Sequence, residues 1–475
     1  MAGTSNNEKS NVFKDFDFIK AWIKVISQYT DANPELIEAT GLYLLSTLIG
    51  HKAWINSVPD INPFAEKPEE TGLKLNIYTL IIGRTARSRK STVIKKVEEF
   101  IKRVKPEILM PRLMTPEALK DELEIRKEGS YSWGTWIVDE VAELYELARK
   151  KDYMASMQSL LQILYDGAGY SASTITRGKV LTGKVYFTFL GASTEILVLN
   201  KLIRDEDFVH GFLGRFIIIY DKGTRNRRPR RFETPKRDPM AMEIVEWALN
   251  LLSIKKFIIL QPTPEAEELI NEIESKNDEE ISKLTNLYLF ISPETKMKYL
   301  LGLYCSRLTT NLLKLAGLYR ISRLALEDLK RMQSLDDPNI KITVDDILEN
   351  PSILDELRQE IIFIEKQDVE RAWKFLSKIV VPSVEEIVKL MHAETLNFEI
   401  QVSTVKVIIK KYGTEIDGYP AIDRTTLYKK WFNVTKLPSE YLEKVLKHLR
   451  AEGSIREITR KTSGRPKTFY VLKEE

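Results

Sequence analysis

Apolar residues return at helical spacing along the first fifty positions: Phe18, Trp22, Val25 and Ile26, then Leu36, Leu42, Leu45 and Leu48. Asn33-Pro34-Glu35 gives the second of these helices its start, with proline in the first turn, where its missing N–H costs nothing. Residues 57–71 hold three prolines and read as a loop. From Leu73 to Gly83 the spacing changes to an aliphatic run ending on glycine, the mark of a buried strand. An amphipathic helix follows, with Val93, Ile94, Val97, Phe100 and Ile101 on one face. TPEALKDEL (115–123) is a further helix, with a threonine cap and proline at its first position. A second strand (134–140, GTWIVDE), a helix over 141–165, a third strand (184–193, KVYFTFLGAS) and a fourth (215–221, RFIIIYD) continue the series.

Strands alternating with helices predict an α/β fold with a mostly parallel sheet covered on both faces. The basic stretch 222–237 interrupts this series, 240–380 reads as helical throughout, and beyond 383 short helices close on a hairpin. Four segments are therefore expected: an N-terminal helical region (1–72), an α/β core (73–237), a helical domain (238–382) and a small C-terminal domain (383–475).

Composition narrows the chemistry. One cysteine among 475 residues excludes a disulfide scaffold and a thiolate metal cluster. The four histidines (51, 210, 392, 448) form neither H-x3-H nor H-E-x-x-H, so a zinc enzyme is not expected. The first eleven residues lack an apolar signal core, and no window approaches the roughly 18 consecutive apolar residues of a membrane span. The expectation is a cytoplasmic protein with no membrane partner.

The candidate chemistry lies where the first strand turns into a helix: Gly83-Arg-Thr-Ala-Arg-Ser-Arg89-Lys90-Ser91-Thr92. Phosphate binding at such a turn needs backbone N–H groups around the anion, a helix N-terminus aimed at it, a lysine for the β- and γ-phosphates, and a hydroxyl for Mg²⁺. Lys90 and Ser91 are the last two. The usual spacing would set glycine at 84 and 89; both are arginine, and the loop from Gly83 is one residue longer. A side chain at 89 is compatible with this role only if the backbone avoids positive φ. A plain basic turn before a helix is the competing reading.

Asp139 and Glu140 end the second strand, about 50 residues downstream, where a Mg²⁺-holding carboxylate and a water-activating one are needed. Ordinary acidic residues at a helix start are the alternative. Ser193 and Thr194, at the tip of the third strand, either sense the γ-phosphate and the attacking water or cap the next helix. Arg215, at the head of the fourth strand, either reaches a neighbouring subunit's ATP or forms a structural ion pair. Arg177 is a second candidate for that arginine.

In order, NIYTLIIGRTARSRKST, MTPEALKDEL, WIVDE, LYDGAGYSASTITRG, FLGAST, HGFLGRFIIIYD and the later KLAGLYRISRL resemble the helicase-like ATPase module of phage, plasmid and prophage proteins, often fused behind a primase. The resemblance spans about residues 35–380; its most specific parts are the LYDG turn and the G-F-L-G-R-F segment. It implies a RecA-like P-loop NTPase core that hydrolyses ATP with Mg²⁺, acts on nucleic acid and assembles as a homo-oligomeric ring, foremost a hexamer. It also implies roles for Lys90, Ser91, Asp139, Glu140 and Arg215. Priming activity is not expected.

Residues 415–475 read as a winged helix: two amphipathic helices (423–432 and 437–453), then strands SIREITR and KTFYVL around a basic tip. Arg424, Lys429, Lys430, Arg460, Lys461, Arg465 and Lys467 are the candidate DNA contacts; a protein-binding module is the alternative. The net charge of +4 conceals a division. Arg424–Lys473 holds 13 Lys/Arg against 4 Asp/Glu, and 222–237 holds 8 against 1, so the rest of the chain carries −12. Phosphate attraction follows such local clusters rather than the total. Two functions are expected to compete: an ATP-dependent DNA helicase or translocase serving replication of a mobile element, and a winged-helix initiator or regulator whose nucleotide site switches assembly with little or no turnover.

Overall fold

A computed structural model describes residues 17–56, 72–84, 88–150, 156–167, 171–174, 178–181, 183–199, 203–223, 257–285, 293–334, 359–435, 439–460 and 466–473, with a few positions between 242 and 250. The chain forms two compact units: Met1–Phe290 with Thr295–Leu390, and Met391–Glu475 with Ile291–Glu294.

The first unit begins with helices α1 (Phe18–Ile26) and α2 (Pro34–Ile49), then strands β1 (Ala53–Ile55), β2 (Leu73–Lys74) and β3 (Tyr78–Gly83). Helices α3 (Lys90–Val104) and α4 (Pro116–Ile125) lead to β4 (Lys127–Glu128) and β5 (Tyr131–Val138). Then come α5 (Val141–Lys150), α6 (Met157–Tyr165), the hairpin β6 (Ser171–Thr174) and β7 (Gly178–Leu181), β8 (Lys184–Ser193) and β9 (Phe216–Asp221). Strand β10 (Phe257–Pro262), helices α7 (Pro264–Thr285), α8 (Pro293–Cys305) and α9 (Leu308–Ser334), strand β11 (Gln359–Ile364), and helices α10 (Lys366–Phe375) and α11 (Val381–Met391) follow.

The central sheet has the order β4-β5-β8-β3-β9, parallel except for the β4 edge. Its parallel strands β3, β5, β8 and β9 are buried on both faces, which is why they read as largely apolar runs rather than alternating ones. Helices α2, α4, α5 and α6 pack against it. Helix α2 is buried almost all round, as expected of an apolar helix without a polar face. Its small polar residues find partners in the sheet: Thr47 with Thr188 at 3.0 Å, and Ser46, whose carbonyl accepts the Tyr186 hydroxyl at 2.7 Å.

Two sequence expectations are corrected here. The run from Leu73 to Gly83 is not one strand: β2 pairs with β1 in a second sheet, and β3 enters the central one. The segment 240–380 is not helical throughout either; β10 and β11 complete that second sheet, ordered β11-β10-β1-β2. Short apolar runs such as FIIL fit a strand and a buried helix turn equally well, and parallel pairing with β1, about 200 residues away in sequence, decides between them. Segments expected to be separate, 1–72, 73–237 and 238–382, thus share sheets within one unit. Helices α10 and α11 join through a π turn at Leu376–Val380, just ahead of Pro382, whose missing N–H that geometry accommodates.

The second unit consists of α12 (Ala393–Tyr412), β12 (Thr414–Ile416), β13 (Tyr419–Asp423), α13 (Arg424–Thr435), α14 (Ser439–Ala451), β14 (Ile455–Arg460) and β15 (Lys467–Leu472). Its antiparallel sheet runs β12-β13-β15-β14, with Ile455 opposite Leu472 and Arg460 opposite Lys467. Leu427, Trp431, Leu442, Leu446, Leu449 and Tyr470 form its core with Ile408 and Ile409 of α12. The whole chain is therefore α/β with a mostly parallel main sheet. Among the described residues no helix is long and apolar enough to cross a membrane.

Candidate phosphate-binding site

The carboxyl ends of the parallel strands lie side by side. Ile82 is opposite Ser193, Gly83 opposite Asp221, and Val138 opposite Gly191. Strand β3 is also where the order reverses: the chain leaves it for β5 on one side and later crosses to β9 on the other. Crevices at such switch points, outside the carboxyl ends, are where α/β sheets bind ligands.

Gly83 ends β3 because nothing larger fits there: a Cβ would stand 2.7 Å from Cβ of Ser88 and 3.3 Å from the Asp221 carbonyl. The chain then turns into α3. Among the described residues no side chain caps this helix, so its first turn keeps N–H groups available to an anion. The residue before it, Arg89, has φ of 53° and ψ of 16°. The expected condition that position 89 avoid positive φ is therefore not met: Arg89 adopts the conformation that glycine usually supplies. For a residue with a Cβ this costs about 1–2 kcal/mol. Its guanidinium is held by Asp31 at 2.8 Å.

Lys90 is buried, with Nζ 3.5 Å from the Gly83 carbonyl. Burial lowers its pKa below the usual lysine range, while Glu140, Asp139 and Asp221 oppose the shift. Ser91 donates to Asp139 Oδ1 at 3.0 Å, joining the head of α3 to the tip of β5. Glu140 accepts a hydrogen bond from the buried hydroxyl of Ser193 at the tip of β8. Of the two open readings for β8, Ser193 thus joins the carboxylates, whereas Thr194 lends its carbonyl to the next helical turn through Leu197 N–H at 3.2 Å. Thr92 donates its N–H to the Arg89 carbonyl at 3.0 Å. Gly83, Arg89, Lys90, Ser91, Asp139, Glu140 and Ser193 are brought together, from segments over 100 residues apart.

Sequence reasoning overlooked three neighbours. Asp221 ends an apolar run as Asp139 does, a signal that was visible. Glu195 accepts from Arg84 Nε at 3.0 Å and from the Tyr220 hydroxyl, at the same edge. Asp31 lies 58 residues from Arg89, and nothing local marks it.

Arg215 sits elsewhere. It precedes Phe216, which pairs with Tyr78 at the amino end of β3, roughly 17 Å of strand away from Gly83. Its side chain is 8% exposed and paired with Asp166, with Nη2 to Oδ2 at 2.8 Å and Nε to Oδ1 at 3.3 Å, and Nη1 donates to the Gly211 carbonyl at 2.8 Å. Within one chain Arg215 forms the ion pair, and the LYDG and G-F-L-G-R-F segments meet through it; its reading toward a neighbouring subunit's ATP concerns a contact between subunits. Beside it the Tyr165 hydroxyl donates to Asn311 at 3.1 Å, and Lys314 lies 3.8 Å over the Tyr165 ring while donating to Asn76 Oδ1 at 3.0 Å.

In the second unit Lys429 and Lys467 are exposed. Arg424 pairs with Glu443 at 3.1 Å, Arg460 pairs with Asp417 at 3.0 Å, and Lys430 lies 4.2 Å over the Tyr412 ring. Lys461 and Arg465, Arg177, and most of the basic stretch 222–237 lie outside the described residues.

No protein-family model matches the chain, and no curated protein matches it.

Proposed function

We propose that the chain is an ATP-dependent DNA motor, a helicase or translocase, with a RecA-like P-loop core and a winged-helix DNA-binding unit. The observation that carries this reading is the meeting of Lys90, Ser91, Asp139, Glu140 and Ser193 at the carboxyl ends of three neighbouring parallel strands.

The triphosphate would lie against the uncapped first turn of α3, with Lys90 toward the β- and γ-phosphates. Ser91 Oγ and Asp139 Oδ1, 3.0 Å apart, are the hard oxygen donors that Mg²⁺ takes. Among the described residues no three His, Cys, Asp or Glu side chains cluster as a metal site, and Mg²⁺ bound chiefly through substrate phosphates needs only one or two protein ligands. When bound, Mg²⁺ would neutralise charge on the β- and γ-oxygens. Glu140, oriented by Ser193, would take a proton from water as the water oxygen bonds to the γ-phosphorus and the bond to the β–γ bridging oxygen breaks. The pairing of Glu140 with Ser193 favours turnover over a non-hydrolysing nucleotide switch.

The +9 charge of Arg424–Lys473 supports DNA as the partner of the second unit. A homo-oligomeric ring belongs to the proposal through the resemblance alone. Calorimetric titration with MgATP tests the nucleotide reading. Wild type should bind in the micromolar range, and Lys90→Ala should lose at least tenfold in affinity while keeping the wild-type melting temperature. Equal affinity in the two proteins would remove Lys90 from the site.

A further inference from the structure

Helix α1 and the segment joining it to α2 lie along α3. Trp22 packs edge-on against Phe100 at 5.2 Å between ring centroids, Lys96 Nζ stands 5.5 Å from the centre of the Tyr29 ring, and Asp31 binds Arg89 at 2.8 Å. Positions 100, 96 and 89 differ by four and seven, so they share one face of the helical path. The segment is itself shaped by hydrogen bonds: Thr30 N–H to the Ile26 carbonyl at 3.2 Å, and Ala32 N–H to Thr30 Oγ1 at 3.2 Å. It runs antiparallel to α3 and ends with a carboxylate at the one described residue of the phosphate loop that is both non-glycine and left-handed.

We propose that Asp31 is the positioning residue of the phosphate loop: by pairing with Arg89 it holds that residue in the left-handed conformation and so keeps the first turn of α3 aimed at phosphate. Arg89 lends its carbonyl to the N–H groups of Thr92 and Val93, at 3.0 and 3.3 Å, so its conformation governs how the helix begins. The Asp31 side chain is 15% exposed and the Arg89 side chain 38%, which sets the pair at the rim of the loop, where solvent only partly screens it. An arginine tethered by a carboxylate thus takes the place of the missing glycine. The phosphate part of this inference rests on the reading of the site as a nucleotide pocket; the tether itself does not.

The experiment is a double-mutant cycle on the full chain, using Asp31→Ala and the isosteric Asp31→Asn, each alone and combined with Arg89→Gly. Amide hydrogen exchange at Thr92 and Val93 reads the tether without nucleotide. With Arg89 present, either Asp31 variant should exchange about fivefold faster, the worth of a partly screened ion pair. In the Arg89→Gly background, where the backbone needs no tether, the Asp31 variants should exchange within twofold of Arg89→Gly alone. MgATP affinity should fall about fivefold in the first background and stay constant in the second. Unchanged exchange in the Asp31 variants, or an equal rise in both backgrounds, overturns the proposal. Should wild type bind no MgATP, the nucleotide reading fails, and the exchange rates still decide the tether.

Discussion

His51 lies in the short turn after α2, stacked on Tyr131 at 4.7 Å, 8% exposed, with Nδ1 buried and without a hydrogen-bond partner. Desolvation pulls its pKa down to about 4 from the usual 6.5; Lys74, Lys52 and Lys105 add to the shift and Glu128 opposes it. The folded protein therefore keeps this imidazole neutral at pH values where the unfolded chain protonates it. Its contribution to stability is fully present above about pH 6.5, is lost as pH falls from there towards 4, and amounts to roughly 3 kcal/mol. Denaturant melts of wild type and His51→Gln between pH 4 and 7 measure this. The variant should show a flatter dependence by that amount, and an identical pH slope in both proteins would refute the assignment. Arg89 is the opposite case, a residue whose cost lies in the backbone. A sequence states that glycine is missing there, but φ depends on the partner at Asp31, which no local signal reveals.

Among elements, the parallel strands were legible because burial on both faces writes them as continuous apolar runs, and Asp139 and Glu140 were found because they end such a run. Strands β10 and β11 were not legible. At the β11 edge Ile361 and Phe363 are exposed while Ile362 and Ile364 are buried, so four consecutive apolar residues hide the alternation, and its partner is far away in sequence. The LYDG and G-F-L-G-R-F segments stood out by their residues, yet their joint role depends on a contact across 49 positions. That contact has a consequence. Asp166 is 45% exposed and Arg215 only 8%, so removing the carboxylate leaves a buried guanidinium short of its anion. Asp166→Ala should cost about 1–2 kcal/mol in urea unfolding and leave MgATP affinity within twofold of wild type. A stable variant with lost ATPase would instead return Arg215 to the catalytic machinery.

At the scale of the whole molecule, the charge division is the feature that sequence shows best, because it needs no contacts. Structure refines it, since several cations of the second unit already have anions: Arg456 and Arg460 share Asp417, Arg450 has Glu457, and Arg424 has Glu443. DNA affinity measured by anisotropy across a salt series should fall with a log–log slope of about −4 or steeper, and Lys429→Ala and Lys467→Ala should each flatten it by about one unit. Binding insensitive to salt would point to a protein partner for this unit.

The central claim is turnover at the strand tips, and phosphate release from purified protein tests it most directly, with MgATP alone and with single- or double-stranded DNA. The account predicts release that DNA accelerates in wild type, and release reduced at least a hundredfold in Glu140→Gln, which should still bind MgATP. Nucleotide binding without phosphate release in wild type, or wild-type release from Glu140→Gln, would contradict it.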